Sequence, residues 1–217
     1  MLWVVSLLHK DKAPHSFLSK CIFQNRFLKV YMNYQDHVNL IRPANLPPGG
    51  QWADFGAGSG AFTLALRELV GPNAEIYAVD RDRARLGELG RVYRSYFGAS
   101  QPTDEQLHLI HDDFTHALNL PTLDGILMAN ALHYFKDKER VLHHVRTFLK
   151  PGGTFLLVEY DVDRGNPWVP YPLSFKTFRL LAPRARFTTP QLLATIPSSF
   201  LHQFYSAIAS KKDNTPA

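Results

Sequence analysis

An apolar run that turns through alternate glycines and then enters an amphipathic segment leaves a chain few folds to choose from. Residues Trp52 to Phe62 do this. Trp52–Phe55 reads as the end of a buried strand, with the strand spanning roughly Gln51–Gly56. Gly56, Gly58 and Gly60 read as a tight turn. Ala61–Val70 reads as a helix with apolar Phe62, Leu66, Leu69 and Val70, stopped at Gly71-Pro72. Glycine lets the turn close and lets backbone N–H groups approach a ligand without a Cβ in the way. The following helix points its positive end at the same place. The segment is a nucleotide-type binding loop at the end of a buried strand.

From Gln51 onward, apolar runs of strand length alternate with helical segments, the signature of a parallel α/β sheet. The expected strands after the first are Ala74–Asp80, Leu107–Phe114, Asp124–Asn130 and Thr154–Tyr160. The expected helices are residues 34–42, Asp82–Phe97, Asp137–Leu149 and Ser174–Leu181. Gln191–Ile196 and Phe200–Ala209 read as two further strands joined by a turn at Pro197-Ser198-Ser199, a link that permits only an antiparallel pair. Residues 1–31 lack periodicity and are expected to be an extension, with Met32 an alternative start. Residues 32–210 would form the domain and 211–217 a polar tail.

The 217 residues and 45% hydrophobic content suit one globular domain. Cys21 is the only cysteine, which excludes an internal disulfide framework and a multi-cysteine metal site. No metal site is expected. The net charge of +5 could suggest nucleic acid, but residues 1–50 hold six Lys/Arg against two acids, so the remainder is nearly neutral. No run is long and apolar enough to span a membrane, and Met1–Leu8 lacks the basic flank of a signal peptide. The expectation is a cytoplasmic protein.

In such a sheet, ligands bind beyond the carboxyl ends of the strands. Asp54 lies just before the glycines, and Asp80 closes the second strand about twenty residues beyond them, where an acid can accept ribose hydroxyls. Asp112-Asp113-Phe114 closes the third strand and Asn130 the fourth. Gly56-x-Gly58-x-x-Ala61 also satisfies the dinucleotide fingerprint, so a nicotinamide-dependent dehydrogenase is one reading. Against it stand the negative Asp54 beside a would-be pyrophosphate, the acid–aromatic pair Asp113-Phe114, and a closing hairpin in place of a second mononucleotide-binding half.

Taken together, Asp54 to Gly60, Val79-Asp80, His111 to Phe114 and Leu149-Lys150-Pro151-Gly152-Gly153 resemble the ordered motifs of the class I S-adenosylmethionine-dependent methyltransferases over residues 34–209. The resemblance implies a three-layer Rossmann-like fold, its mostly parallel seven-stranded sheet ordered 3-2-1-4-5-7-6 with strand 7 antiparallel. It implies S-adenosylmethionine as cofactor, with Gly56, Ala57, Gly58 and Gly60 cradling the methionine moiety and Asp54 holding its ammonium. Asp80, beside Arg81, would bind the ribose. Asp113 would accept from the adenine amine with Phe114 near the ring, Asp112 being a rival for that role. Asn130 and Ala131 would lie near the sulfonium. A protein that keeps the fold and binds the cofactor without turnover is a further reading.

Alignment for in-line displacement does most of the work in methyl transfer, and a general base is needed only when the nucleophile must lose a proton. His37 and His133 are the candidate catalytic residues. Tyr34, Tyr134, Glu159 to Asp163, Arg164 and the loop holding Trp168 with Pro167, Pro170 and Pro172 are further candidates for the acceptor side. His143 and His144 are expected on the exposed side of their helix. Asn130-Ala131-Leu132-His133 is not the Asn/Asp-Pro-Pro-aromatic motif of enzymes acting on adenine or glutamine nitrogen. The lone cysteine disfavours cytosine-C5 and arsenic chemistry. The default acceptor is a small molecule.

Overall fold

The computed structural model describes residues 32–98 and 106–213. The expected extension over residues 1–31 and most of the expected tail lie outside the described residues. The chain opens with α1 (Tyr34–Ile41), where Asn33 and Asp36 form a reciprocal capping box. It continues through β1 (Gly50–Phe55), α2 (Ala61–Val70), β2 (Ala74–Asp80), α3 (Arg83–Phe97) and β3 (Leu107–His111). Then come β4 (Leu123–Ala129), α4 (Lys138–Val145), β5 (Leu149–Tyr160), α5 (Phe175–Leu181), β6 (Gln191–Pro197) and β7 (Gln203–Ser210).

The strands form one seven-stranded sheet in the order β3-β2-β1-β4-β5-β7-β6. The pairs β1–β2, β1–β4, β2–β3 and β4–β5 are parallel, and β7 runs antiparallel to both β5 and β6. Strand order reverses between β1 and β4, so the crevice beyond their carboxyl ends is where a ligand belongs.

Alternation along the strands sorts side chains into two buried faces. Ile126 and Met128 of β4 pack with Val141, Leu142 and Val145 of α4 and Phe178 of α5. Leu127 of β4 faces the other way, into a cluster with Val38 and Ile41 of α1 and Phe62, Leu66 and Val70 of α2. Leu89 and Tyr93 of α3 pack on that side against Ala78. Helices thus cover both faces of a sheet whose central strands are apolar on both sides, the three-layer arrangement.

Three expected boundaries move, each for a local reason. The third strand stops at His111, not Phe114, because carboxylates capture the next backbone N–H groups. Asp112 Oδ1 accepts from Asp113 N at 2.7 Å and Asp113 Oδ1 from Thr115 N at 2.9 Å. The fourth covering helix ends at Val145 and passes through a tight turn over Arg146–Phe148, so β5 begins at Leu149, five residues earlier than expected. The hairpin link is 198–202, since Ser198 Oγ accepts from Phe200 N and Leu201 N and holds Phe200 in the loop. His143 is exposed as expected, whereas His144 is half-buried, bonded through Nε2 to the His116 carbonyl and packed edge-on against Phe148.

Candidate active site

The β1–α2 loop is pinned to the end of β2. Gly56 N and Ala57 N donate to the Val79 carbonyl at 2.8 and 3.1 Å, and Gly58 N donates to Asp80 Oδ2 at 2.8 Å. Gly56 has φ +81°, and a Cβ there would come 2.5 Å from the Ala131 Cβ. The Ala131 methyl therefore fills the space that a side chain at Gly56 would need. Gly60 lines neither of the two cavities above this loop; it caps α2 in the left-handed region and leaves room for Leu89.

Two adjoining cavities open over this loop. One, of about 430 Å³, is lined by Asp80, Arg81, Asp112, Asp113, Phe114 and Ala131. The other, of about 380 Å³, is lined by His37, Asp54, Ala57, Phe62, His133 and Tyr160, with Trp168 and Phe200 towards the β5 and hairpin loops. Gly56, Gly58, Arg85, Asn130 and Tyr134 border both. Each lies in the size range of small-molecule sites.

In the first cavity Asp80 also accepts the Asp82 N–H through Oδ1 at 2.8 Å, so both carboxylate oxygens are held by backbone and each keeps acceptor capacity for a ligand. Asp113 has Oδ1 occupied by Thr115, and Oδ2 has no partner among the described residues. Asp112 is tied to His116 Nδ1 at 2.7 Å, and this bond, followed by the one from Asp113 N, lowers its pKa. Phe114 stacks on Phe55 at 5.6 Å and meets Phe135 edge-on, so its ring is held nearly buried where it lines the cavity.

At the junction stands Asn130. Its φ of +52° is rare for a residue with a side chain, and its Oδ1 is buried without a hydrogen-bond partner. Strain and an orphaned acceptor coinciding at a cavity wall mark a position shaped for a ligand. Asp54 is buried nearby, its Oδ2 accepting from Thr63 Oγ1 at 2.6 Å. Desolvation raises its pKa to about 7, opposed by the Thr63 bond and helped by the charge of Asp80.

The second cavity holds a buried dyad. His133, from the turn after β4, receives Glu159, from the end of β5: Nδ1 lies 2.8 Å from Oε2, and the His133 N–H donates to Oε1 at 3.0 Å. Both side chains are nearly inaccessible. Buried Lys138 faces Glu159 and Asp163, its ammonium donating to the Phe135 carbonyl at 2.9 Å. Burial lowers its pKa while the two carboxylates oppose that shift. With Nδ1 donating to the Glu159 carboxylate, a neutral ring keeps its lone pair at Nε2, which has no protein partner among the described residues, and the ring lines the cavity. His37 packs edge-on to Phe62 at 4.8 Å. Its Nδ1 is buried and unpartnered, and burial lowers its pKa, with Asp36 opposing.

The structure thus brings both candidate histidines to one cavity and the expected cofactor residues, Gly60 excepted, to the two linings. Tyr34 lines neither: its hydroxyl donates to Glu68 at 2.6 Å and its ring packs on Tyr96. Arg164 lines neither as well. The His133–Glu159 pairing, Arg85 and Phe200 went unread in the sequence. The available signal was Glu159 itself, an acid ending the apolar run Phe155–Val158.

A family model described as a methyltransferase domain matches residues 53–155. A ubiquinone/menaquinone biosynthesis C-methyltransferase from Burkholderia mallei is 24% identical over 167 residues, covering 76% of this chain and 63% of that protein. The lovastatin diketide synthase of Aspergillus terreus is 26% identical over 156 residues, 71% of this chain but 6% of that protein. The chain therefore spans less than two thirds of these relatives. Among solved structures, a SAM-dependent methyltransferase from Aquifex aeolicus superposes with TM-score 0.61 at 18% identity, over 81% of this chain and 89% of that one, which shows a shared fold.

Proposed function

This chain belongs to the class I, Rossmann-like methyltransferases, and from that premise we propose that it moves a methyl group from S-adenosylmethionine to a small-molecule acceptor. The observation that carries the reading is the meeting of two cavities at Asn130, with Asp80, Asp113 and Phe114 along one and, on the other, Asp54 and Ala57 beside an unpaired imidazole nitrogen. A sheet ending in an antiparallel hairpin, with an acid buried beside the glycine loop, suits this donor better than a dinucleotide.

When bound, S-adenosylmethionine supplies an electrophilic methyl on a sulfonium, and displacement by a nucleophile leaves the bonding pair on sulfur. The residues present fit such a molecule. Asp80 would take the ribose hydroxyls, with Arg81 beside it. Asp113, or in its place Asp112, would take the adenine amine, with Phe114 near the ring. Asp54 would face the ammonium beside Gly56, Ala57 and Gly58, and the orphaned Asn130 Oδ1 and Ala131 would lie by the methionine chain. His133 would accept the acceptor's proton at Nε2 while Glu159 fixes its tautomer and stabilises the charge it gains. His37 would contact the acceptor.

Calorimetry with S-adenosylhomocysteine and with NADH tests this reading. Binding of the former and none of the latter is expected; tight NADH binding alone would overturn it.

A further inference from the structure

Aromatic rings wall the second cavity, and they fall into two groups. His37 and Phe62, from α1 and α2, form one. Tyr160, Phe200 and Trp168 form the other, with Tyr160–Phe200 centroids at 6.0 Å and Trp168–Phe200 at 6.3 Å. Trp168 is 72% exposed yet its loop is built to hold it there. Asn166 Oδ1 accepts the N–H groups of both Trp168 and Val169 at 2.9 Å, and Tyr171 N donates to the His133 carbonyl at 3.0 Å. Pro167, Pro170 and Pro172 stiffen the same loop. A large aromatic fixed in solvent at a cavity mouth, and tethered to the candidate base, is a contact surface awaiting a partner.

The charges of this lining are as informative. Among the described residues, Arg85 is the only Lys or Arg in this lining; it also borders the donor cavity and sits 3.5 Å from Asp82. An anionic acceptor would find no cation of its own. Both oxygens of Glu159 bind His133, and Asp54, bonded to Thr63 through Oδ2, would serve the donor's ammonium, so a cationic acceptor is left no carboxylate of its own. Two polar points remain: Nε2 of His133 and the orphaned Nδ1 of His37.

We propose that the acceptor is an uncharged, flat, conjugated hydroxyl compound, a phenol or an enol, held between the His37–Phe62 rings and the Tyr160–Phe200–Trp168 rings. Its ionisable hydroxyl faces His133, and a second polar atom, where present, meets His37. The inference rests on the methyltransferase reading and narrows it. An acidic hydroxyl suits an imidazole base, which takes the proton as the nucleophile forms, and a flat apolar body suits walls that offer ring faces and little charge.

Binding distinguishes the alternatives without turnover. Naphthol, naphthoate and naphthylmethylammonium share one ring system and differ in charge. Each is titrated with and without S-adenosylhomocysteine, and the emission of Trp168 is isolated by subtracting the Trp168→Phe variant. Naphthol is expected to change that emission saturably and to bind at least roughly tenfold tighter than the other two. His37→Phe, which keeps a ring and removes the nitrogen, is expected to reduce the preference with dihydroxynaphthalene by roughly tenfold while leaving S-adenosylhomocysteine affinity unchanged. Phe200→Ala, in an exposed loop, is expected to weaken all three probes alike. Equal or tighter binding of the anion or the cation, or a Trp168 signal that none of the probes moves, would overturn the proposal. Failure of S-adenosylhomocysteine to bind would instead count against the donor assignment, since the naphthol titration without it still reads this cavity.

Discussion

The two cavities that meet at Asn130 are built in opposite ways. The proposed donor side is made of strand ends and backbone: the glycine loop hangs from the Val79 carbonyl and the Asp80 carboxylate, and the acids proposed for adenine sit in the turn that stops β3. The proposed acceptor side is made of side chains from scattered segments, His37 on α1, Phe62 on α2, His133 after β4, Tyr160 at the end of β5, and Trp168 and Phe200 on separate loops. Backbone geometry tolerates few sequences, because a Cβ at Gly56 has nowhere to go. Side-chain walls tolerate many. One half of the site is therefore fixed by the fold, and the other half is where a chemistry can be chosen.

Substitutions that hit one half alone should separate the two. The largest effect is expected from Glu159→Gln. It keeps the shape but frees the His133 tautomer, and should lower the transfer rate by on the order of 10²–10⁴-fold with donor affinity unchanged. Single-turnover rates beside calorimetry check this, and an equal loss in both would make Glu159 a general structural support. Gly56→Ala should act on the other half, costing about 1–3 kcal/mol of stability through its positive φ and the Ala131 contact and removing donor binding. Thermal melts with and without S-adenosylhomocysteine read both. A smaller split is expected between the adenine-side acids. Asp113→Ala, which removes the free Oδ2, should weaken S-adenosylhomocysteine roughly tenfold, and Asp112→Ala by less.

The smallest effect on binding is a pH dependence. Asp54 titrates near pH 7 when folded and near 4 when unfolded, so the folded state holds the extra proton between these values. Its contribution to stability is full below pH 4 and is lost as pH rises through 7. An ammonium at the site favours the ionised form, so S-adenosylhomocysteine affinity should rise a few-fold from pH 6 to pH 8. Asp54→Asn should flatten both the stability slope and the affinity slope.

The same division explains what the sequence revealed. The alternation of strand and helix and the glycine spacing are short-range patterns, and from them the parallel α/β class, α2 and β2 were legible, while the sheet order followed from the family resemblance that the motifs carry. Gly60 was assigned to the ligand because spacing cannot tell a cradle from a close approach to Leu89. The end of β3 was misplaced because the carboxylate turns at Asp112 and Asp113 compete with strand pairing in a run that otherwise reads as extended. His133 and Glu159 are 26 positions apart, and their bond depends on how β4 and β5 register. Phe200 reaches the cavity only because Ser198 keeps it out of β7. Contacts of that kind are products of the assembled fold.

One calorimetric comparison tests the division most directly: S-adenosylhomocysteine titrated into the parent protein, Asp80→Ala and His133→Ala. Asp80→Ala removes the ribose acceptor and the anchor of the Gly58 N–H, and should weaken binding roughly hundredfold. His133→Ala should leave the affinity within about twofold of the parent, since that imidazole faces the other cavity. Unchanged binding in Asp80→Ala, or a loss in His133→Ala as large as that in Asp80→Ala, would contradict the assignment of donor and acceptor to separate halves.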